Sequence, residues 1–412
     1  MPRTPPRPSR SPGRHVFGRR RFLSAAAAGG LAAIISGCTG GRGRDERGTP
    51  APAVGSAEWW RDQERVGLLN FANWPYYIDR ARRSRPSLEL FMREKAITVN
   101  YYRPIRDMQS FYAEIRPVLE SGDDTHYDLM VLSNGPELTE MIRRGWVIEL
   151  DHSLLPNFAA HAGPLVRDPA WDPDNRFTIA WQSGFTGIAY RPEAVEALGR
   201  KPTSVRDLWD PRLERRVGMM ADTNELGSFG LLSLGVDPAA APPDSWFAAA
   251  AELEQQRDAV RPRYYDQGYI DALARGDVWI SMAWSGDVFQ INALGHPEVS
   301  FVVPDEGAMF WTDSMVIPAQ AQHPLDATIY MDYVYEPRIA AMIADWVWYV
   351  SPVPEAKEIV AEDLDDPQVA RSPLVFPGED VSTETRVRDY RVFADDAEFA
   401  DWVAIFQPIV YA

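Results

Sequence analysis

Between residues 66 and 145 the hydrophobic period switches back and forth, and that alternation restricts the folds open to the chain. Residues 66–74 form a short apolar run ending in Asn73 and Trp74. Pro86 suits the first position of a helix, with Leu88, Phe91 and Met92 on one face. Residues 97–102 read as a second strand, and Asp107 caps a helix that turns Met108, Phe111, Tyr112 and Ile115 inward. A third strand over 127–133 leads to a helix over 136–144 that Gly145 stops. This order predicts a parallel sheet with helices on its faces. The three strands end in Trp74, Tyr102 and Ser133, and such ends share the edge where open α/β sheets bind ligands.

The same reading continues downstream. Residues 185–190 are a strand preceded by Trp181, and 217–220 are another. From Asp222 the pattern turns helical, with Leu226, Phe229, Leu231 and Leu232 apolar. Asp222 and Glu225 have the spacing of a capping box. Either the pair only caps, or one carboxylate points into a cleft, held ionised by the helix dipole. In residues 276–287, Val278, Ile280 and Met282 alternate with Trp279, Ser281 and Ala283, which is the period of a strand. It ends in Trp284-Ser285-Gly286-Asp287, an ordinary turn or a ligand corner. Residues 301–304 and 305–318 supply two more strands, the second aromatic, and helices follow over 326–335 and 337–346. Residues 349–354 read as a loop, and the remainder is acidic and helix-rich.

The N-terminus lies outside this pattern. Residues 1–21 hold seven Arg and no acid, and residues 22–37 form an Ala/Gly-rich apolar run too short for a comfortable membrane span. Arg19-Arg20-Arg21-Phe22-Leu23 resembles a twin-arginine export signal. Ile35-Ser36-Gly37-Cys38 resembles the lipobox of bacterial lipoproteins, and Cys38 is the only cysteine. Residues 39–58 read as a flexible tether. Removing residues 1–37 leaves 35 Lys and Arg against 59 Asp and Glu, a net charge of −24. A body so acidic is unsuited to nucleic acid and attracts cationic ligands.

Catalytic constellations are missing from the sequence: no nucleophile elbow, no phosphate-cradling glycine loop, no dinucleotide fingerprint. His126, His152, His161, His296 and His323 are not spaced as metal pairs, so neither cofactor nor metal is expected. What recurs is an aromatic residue beside a polar or acidic one: Trp74 with Tyr77, Trp284 with Asp287, Trp311 with Asp313. An alkylammonium ligand needs both, because carboxylates pair with its nitrogens and aromatic faces pack its methylenes. An exported carbohydrate-active hydrolase, with Glu225 and Asp287 as acid and base, is the competing expectation.

Five blocks in order resemble the spermidine/putrescine-binding proteins of bacterial ABC importers. They are Asn73-Trp74-Pro75-Tyr76-Tyr77-Ile78, Tyr127-Asp128-Leu129-Met130-Val131, Asp207-Leu208-Trp209-Asp210-Pro211, Met282-Ala283-Trp284-Ser285-Gly286-Asp287 and residues 306–314. The resemblance implies an α/β, two-lobed periplasmic-binding-protein fold of type II with interlobe crossover strands and ligand in the cleft. It implies lobe 1 over 66–187 and about 285–335, and lobe 2 over about 188–284 and 336–412, after a tether ending at 65. Ligand-binding positions carry over to Trp74, Tyr77, Ser133, Asp222, Glu225, Trp284, Asp287, Trp311 and Asp313, with Tyr265 as a further wall. Glu225 and Asp287 are expected to hold ammonium groups, with Asp313 as a brace. The implied partners are a small cation, the permease subunits and, through Cys38, the membrane; the expected state is a monomer, and another solute, such as an amino-acid derivative or opine, is the alternative cargo. The chain departs from the family at Pro75, Tyr76, Gly135, Ser183 and Val350. Trp181, two residues before Ser183, is expected to face the same side.

Overall fold

The computed structural model describes residues 52–411 except 82–83, 294, 296–297 and 379–385. The expected export signal and Cys38 lie outside these residues. Ten strands form one sheet: β1 (Leu68–Ala72), β2 (Thr98–Tyr102), β3 (Leu129–Ser133), β4 (Ile179–Tyr190), β5 (Val217–Met220), β6 (Arg263–Tyr265), β7 (Ile280–Trp284), β8 (Ser300–Val302), β9 (Ala308–Val316) and β10 (Val387–Arg388). The order is β2-β1-β3-β9-β4-β7-β5-β6, with β10 beside β9 and β8 beside β4.

The strand-helix alternation produces parallel pairing at both ends, β2-β1-β3 and β7-β5-β6. Between them β9 runs antiparallel to β3, β4 runs antiparallel to β7, and the two run antiparallel to each other, while the short β10 lies parallel to β9. β3, an interior strand, is buried on both faces through Leu132, whereas the edge strand β2 alternates exposed and half-buried residues. The helices begin where the sequence places them. Pro86 opens Pro86–Lys95, and the Asp107 carboxylate accepts the Ser110 N–H at 2.7 Å ahead of Met108–Ser121.

Two main cores flank the central strands. The first gathers Leu69, Phe71, Phe91, Val131 and Tyr330, the second Met219, Phe229, Trp246, Ile280 and Trp402. β4 contributes Ile179 and Trp181 to the first core and Ile188 and Tyr190 to the second; β9 contributes Met315 to the first and Met309 to the second. These are the crossover strands expected of a two-lobed fold. Within the second core Trp246 meets Trp402 edge to face at 5.2 Å, worth about 1 kcal/mol beyond the area the rings bury.

Three expected boundaries change. The tether does not run to 65: Ala57–Arg61 is helical, Trp60 is buried in the first core, and its indole donates to the Glu149 carbonyl at 2.8 Å. Helix Ser285–Ala293, placed with lobe 1 by the sequence, sends Val288 and Ile291 into the second core. Helices Pro337–Val347 and Ala356–Glu362, placed with lobe 2, put Ile339, Ile343 and Val360 in the first. An apolar stripe shows that a helix packs, but not against which core.

Candidate functional site

The site is built on one face of the crossover strands. Directly opposed residues of an antiparallel pair project to the same side, and the side alternates along the strand. β4 offers Gln182, Gly184 and Thr186 to this face. Their partners are Asp313 and Trp311 on β9 and Trp284 on β7. At Gly184 a Cβ would sit 2.3 Å from Trp311 Cζ2, so only glycine lets the indole lie against the strand. The opposite face takes Ser183 and Phe185. The Ser183 hydroxyl meets that of Thr312 at 3.0 Å, and Phe185 packs on Phe310.

Three buried carboxylates stand around this face. Asp313 accepts from the Ser133 hydroxyl at one oxygen and from Tyr77 OH at the other, the latter at 2.6 Å. Burial raises its pKa to about 6 against those two bonds. Asp287 accepts from Tyr349 OH at 2.9 Å and, at its other oxygen, from Tyr269 OH; burial raises its pKa too. Glu225 differs. Its Oε1 accepts three donors, Thr186 Oγ1 at 2.8 Å, Tyr390 OH at 2.8 Å and Trp284 Nε1 at 3.1 Å, while Oε2 is buried with no partner. Burial first, then the charge of Asp222, push its pKa up to about 7.

Other buried acids show what a purely structural carboxylate looks like here. Asp326 takes the N–H groups of Val66, Gly67 and Leu68 on Oδ2, while its Oδ1 has no hydrogen bond but lies 3.9 Å from the Arg65 guanidinium, and Asp128 takes those of Asn70, Gln322 and His323. Those donors are backbone groups that tie loops down. The donors at the site are side-chain hydroxyls and an indole, which hold a carboxylate in place without joining chain segments through the backbone.

The expected residues separate accordingly. Asp222 caps helix Thr223–Ser233, its Oδ1 accepting from Asn224 and Glu225 N–H groups at 2.9 and 3.0 Å. The reciprocal half of a capping box is not made, because the Glu225 side chain turns to Thr186 and Trp284. Trp284-Ser285-Gly286-Asp287 is not a turn: β7 passes straight into helix Ser285–Ala293, with Asp287 in its first turn. Tyr77, Tyr349 and Trp311 form an edge-to-face series at 5.9 and 5.0 Å, and Tyr269 meets Trp284 at 6.2 Å. Trp74 is half-buried, its indole donating to the Val131 carbonyl at 3.0 Å. Tyr265 pairs with Met220 in the sheet and packs on the second core, and shares none of the hydrogen bonds or ring contacts that join the others. Trp181 does not face the side of Ser183: the ladder shifts between Ala180 and Gln182, and Trp181 lies in the first core with its indole on the Tyr77 carbonyl at 3.1 Å. Val350 pairs with Ser183 through both backbone groups and packs with Phe185, away from the site face.

Thr186, Gln182, Tyr269, Tyr349 and Tyr390 were missed by the sequence reading. Tyr349 falls in a stretch read as loop, and Tyr390 lies 165 residues from the carboxylate it touches. Thr186 had a signal: on the site-facing parity of an aromatic strand, a hydroxyl is the residue to ask about.

The sequence model of one family, described as bacterial extracellular solute-binding protein, matches residues 124–385. The chain belongs to that family. This solute-binding protein is 28% identical over 309 residues to the spermidine/putrescine-binding periplasmic protein of Escherichia coli K12, covering 75% of this chain and 83% of the relative. It is 29% identical over 331 residues to the putrescine-binding periplasmic protein PotF of the same organism, with coverages of 76% and 84%. Among solved structures it resembles the spermidine/putrescine ABC transporter substrate-binding protein PotD of Streptococcus pneumoniae. That TM-score is 0.70 at 24% identity, over 83% of this chain and 98% of the other. A solute-binding protein captures its ligand unchanged, so the competing hydrolase with Glu225 and Asp287 as acid and base is set aside. The geometry agrees, since both oxygens of Asp287 already accept tyrosine hydroxyls.

Proposed function

We propose that the chain is a lipid-anchored receptor that captures a polyamine-like cation and hands it to the permease of an ABC importer. The observation that carries this is Glu225: a buried carboxylate with three donors on one oxygen and none on the other, beside the half-buried indole of Trp284. An ammonium group satisfies such an oxygen, because it brings both N–H donors and the compensating charge. Trp74, Trp284 and Trp311 supply faces for a hydrocarbon chain. The expected second ammonium at Asp287 has less support, since that carboxylate is already doubly hydrogen-bonded. The names of the curated relatives point to putrescine and spermidine.

The two cores serve as the lobes, with β4 and β9 as the segments about which they move. Arg143 and Arg144, at the end of helix Pro136–Arg143, pair with Asp396 at the start of helix Asp396–Tyr411, the helix that carries Trp402 and Phe406 of the second core. Such contacts suit a closed, permease-ready state of a monomer. Export through the twin-arginine signal and lipidation at Cys38 would place the receptor on the outer face of the cytoplasmic membrane. Isothermal titration against putrescine, spermidine, spermine and singly acylated diamines tests the reading. Heat that saturates at one ligand per chain and disappears in Glu225→Gln is expected; no heat with any of these amines refutes it.

A further inference from the structure

At one seam the two lobes are bridged by charge across a gap. Helix Pro136–Arg143 belongs to the first lobe, because Leu138 and Met141 pack with Ala72 and Met130 of β1 and β3. Helix Asp396–Tyr411 belongs to the second through Trp402, Phe406 and Ile409. Between them lies a cavity of about 240 Å³, faced by Tyr112, Glu137 and Glu140 from one lobe and by Phe393 and Phe399 from the other. Arg143 and Asp396 stand on its wall and close it. One Asp396 oxygen pairs with Arg143 and the other with Arg144 at 3.3 Å, and Arg143 also donates to the Ala394 carbonyl at 3.4 Å.

Both ends of this bridge are anchored. In the first lobe Glu140 holds Arg144, accepting from its Nε at 2.6 Å, and is itself held by Arg116 at 3.1 Å and by Tyr112 OH at 2.7 Å. In the second lobe Tyr390 OH donates to Glu225 Oε1 at 2.8 Å. The next residue, Arg391, donates to the Ala241 carbonyl at 2.8 Å, pairs with Glu398 and lies over the Trp246 ring at 5.0 Å. The stretch that brings Tyr390 to the ligand carboxylate therefore also brings Asp396 to the first lobe. The seam reaches the site from the other side as well. Burial, and then the charge of Asp222 in the opposite lobe, raise the pKa of Glu137 on the cavity wall. Like charges facing each other across the seam favour its opening.

A cavity leaves its lining without dispersion partners, so parting the lobes here breaks ion pairs more than it breaks packing. The two arginines and Asp396 are solvent-accessible, so salt screens their attraction. We propose that Asp396 is a salt-sensitive latch: by pairing with Arg143 and Arg144 it adds to the closed population of the receptor and slows escape of the captured solute. The latch rests on the reading of the protein as a two-lobed amine receptor and adds a control on closure that lies outside the ligand contacts. Apparent affinity scales with the fraction of chains that are closed, so losing the latch weakens binding without touching the ligand.

The test is calorimetric titration of the full chain with putrescine, spermidine and spermine at about 20 mM and about 500 mM NaCl, with dissociation followed by stopped-flow tryptophan fluorescence. At low salt Asp396→Asn is expected to weaken binding about threefold to tenfold and Arg143→Gln about twofold, both through faster dissociation. Adding Arg143→Gln to Asp396→Asn should change nothing further, because the partner is already gone. At high salt the variants and the unaltered chain should converge. Arg143→Gln is the decisive variant. It makes the chain more acidic, so long-range attraction of a cation predicts tighter binding, whereas the latch predicts weaker binding. Unchanged or tighter binding in Arg143→Gln, or a loss in Asp396→Asn that salt does not erase, overturns the latch and leaves the receptor in place. No heat from any of the three amines with the unaltered chain removes the receptor reading, and the latch with it.

Discussion

Replacing Glu225 with Gln should make the ligand-free protein more stable at neutral pH while abolishing ligand capture. Burial raises the Glu225 pKa from its ordinary 4.5 to about 7. Below pH 4.5 the group is protonated in folded and unfolded chains alike and contributes no difference. Between pH 4.5 and 7 the unfolded chain releases the proton and the folded chain keeps it. Stability therefore falls as pH rises through that window and levels off above pH 7. A separation of that size corresponds to about 3 kcal/mol. Gln keeps an oxygen for Thr186, Trp284 and Tyr390 but leaves an amide nitrogen where Oε2 stood, which costs about 1 kcal/mol. The net expectation is a gain of about 2 kcal/mol at pH 8 and a loss of about 1 kcal/mol at pH 4.5, where only the amide cost remains. Urea unfolding of both proteins from pH 4.5 to 8 reads the difference, and the other buried acids cancel because both proteins share them. Affinity for the amine should drop by about 2–5 kcal/mol, the cost of burying an ammonium without its counter-charge. Parallel pH profiles for the two proteins, or a variant less stable at pH 8, would refute the argument that Glu225 is an uncompensated buried charge.

Ligand affinity itself should weaken as pH falls below 7, by up to about tenfold per pH unit, because the bound ammonium requires the Glu225 carboxylate; titration calorimetry between pH 5.5 and 8 checks this, and a flat profile contradicts it. Tyr390→Phe removes one of the three donors on Glu225 Oε1, so the Glu225 titration should move above about 7. The pH dependence of the Trp284 indole N–H resonance follows that titration without any ligand, and a midpoint that stays or falls would show that Tyr390 does not hold the carboxylate. Gly184→Ala drives a methyl to 2.3 Å from the Trp311 ring and should cost about 1–3 kcal/mol in thermal or urea stability, with loss of amine binding. Trp60→Ala should cost about 3–5 kcal/mol, since it empties a buried position and breaks the bond to Glu149, whereas a residue in a flexible tether would tolerate the change.

The parallel strands β1, β2 and β3 and the helices after them were legible because each is announced locally. Period, Pro86 at a helix start and Asp107 as a cap act within a few residues of one another. Trp74, Tyr77, Ser133, Glu225, Trp284, Asp287, Trp311 and Asp313 were named through a family resemblance, and the fold brings most of them around β4, β7 and β9. The errors also have local causes. A one-residue shift in the β4 ladder sends Trp181 to the core while Ser183 keeps to the face away from the site. The helices from 285 and 337 show an apolar stripe but no sign of which lobe will receive it.

By itself the sequence determined the element types, the acidic body and the aromatic-acidic corners, because periodicity and composition are properties of short windows. Only the tertiary structure decided which carboxylate remains available. Asp287 and Asp313 spend both oxygens on hydroxyls brought from Tyr269, Tyr349, Tyr77 and Ser133, up to 236 residues away in the chain. Glu225 concentrates its donors on one oxygen and leaves the other bare. A buried polar group's chemistry is set by its last unfilled lone pair, and the neighbours that fill the rest arrive from distant parts of the chain.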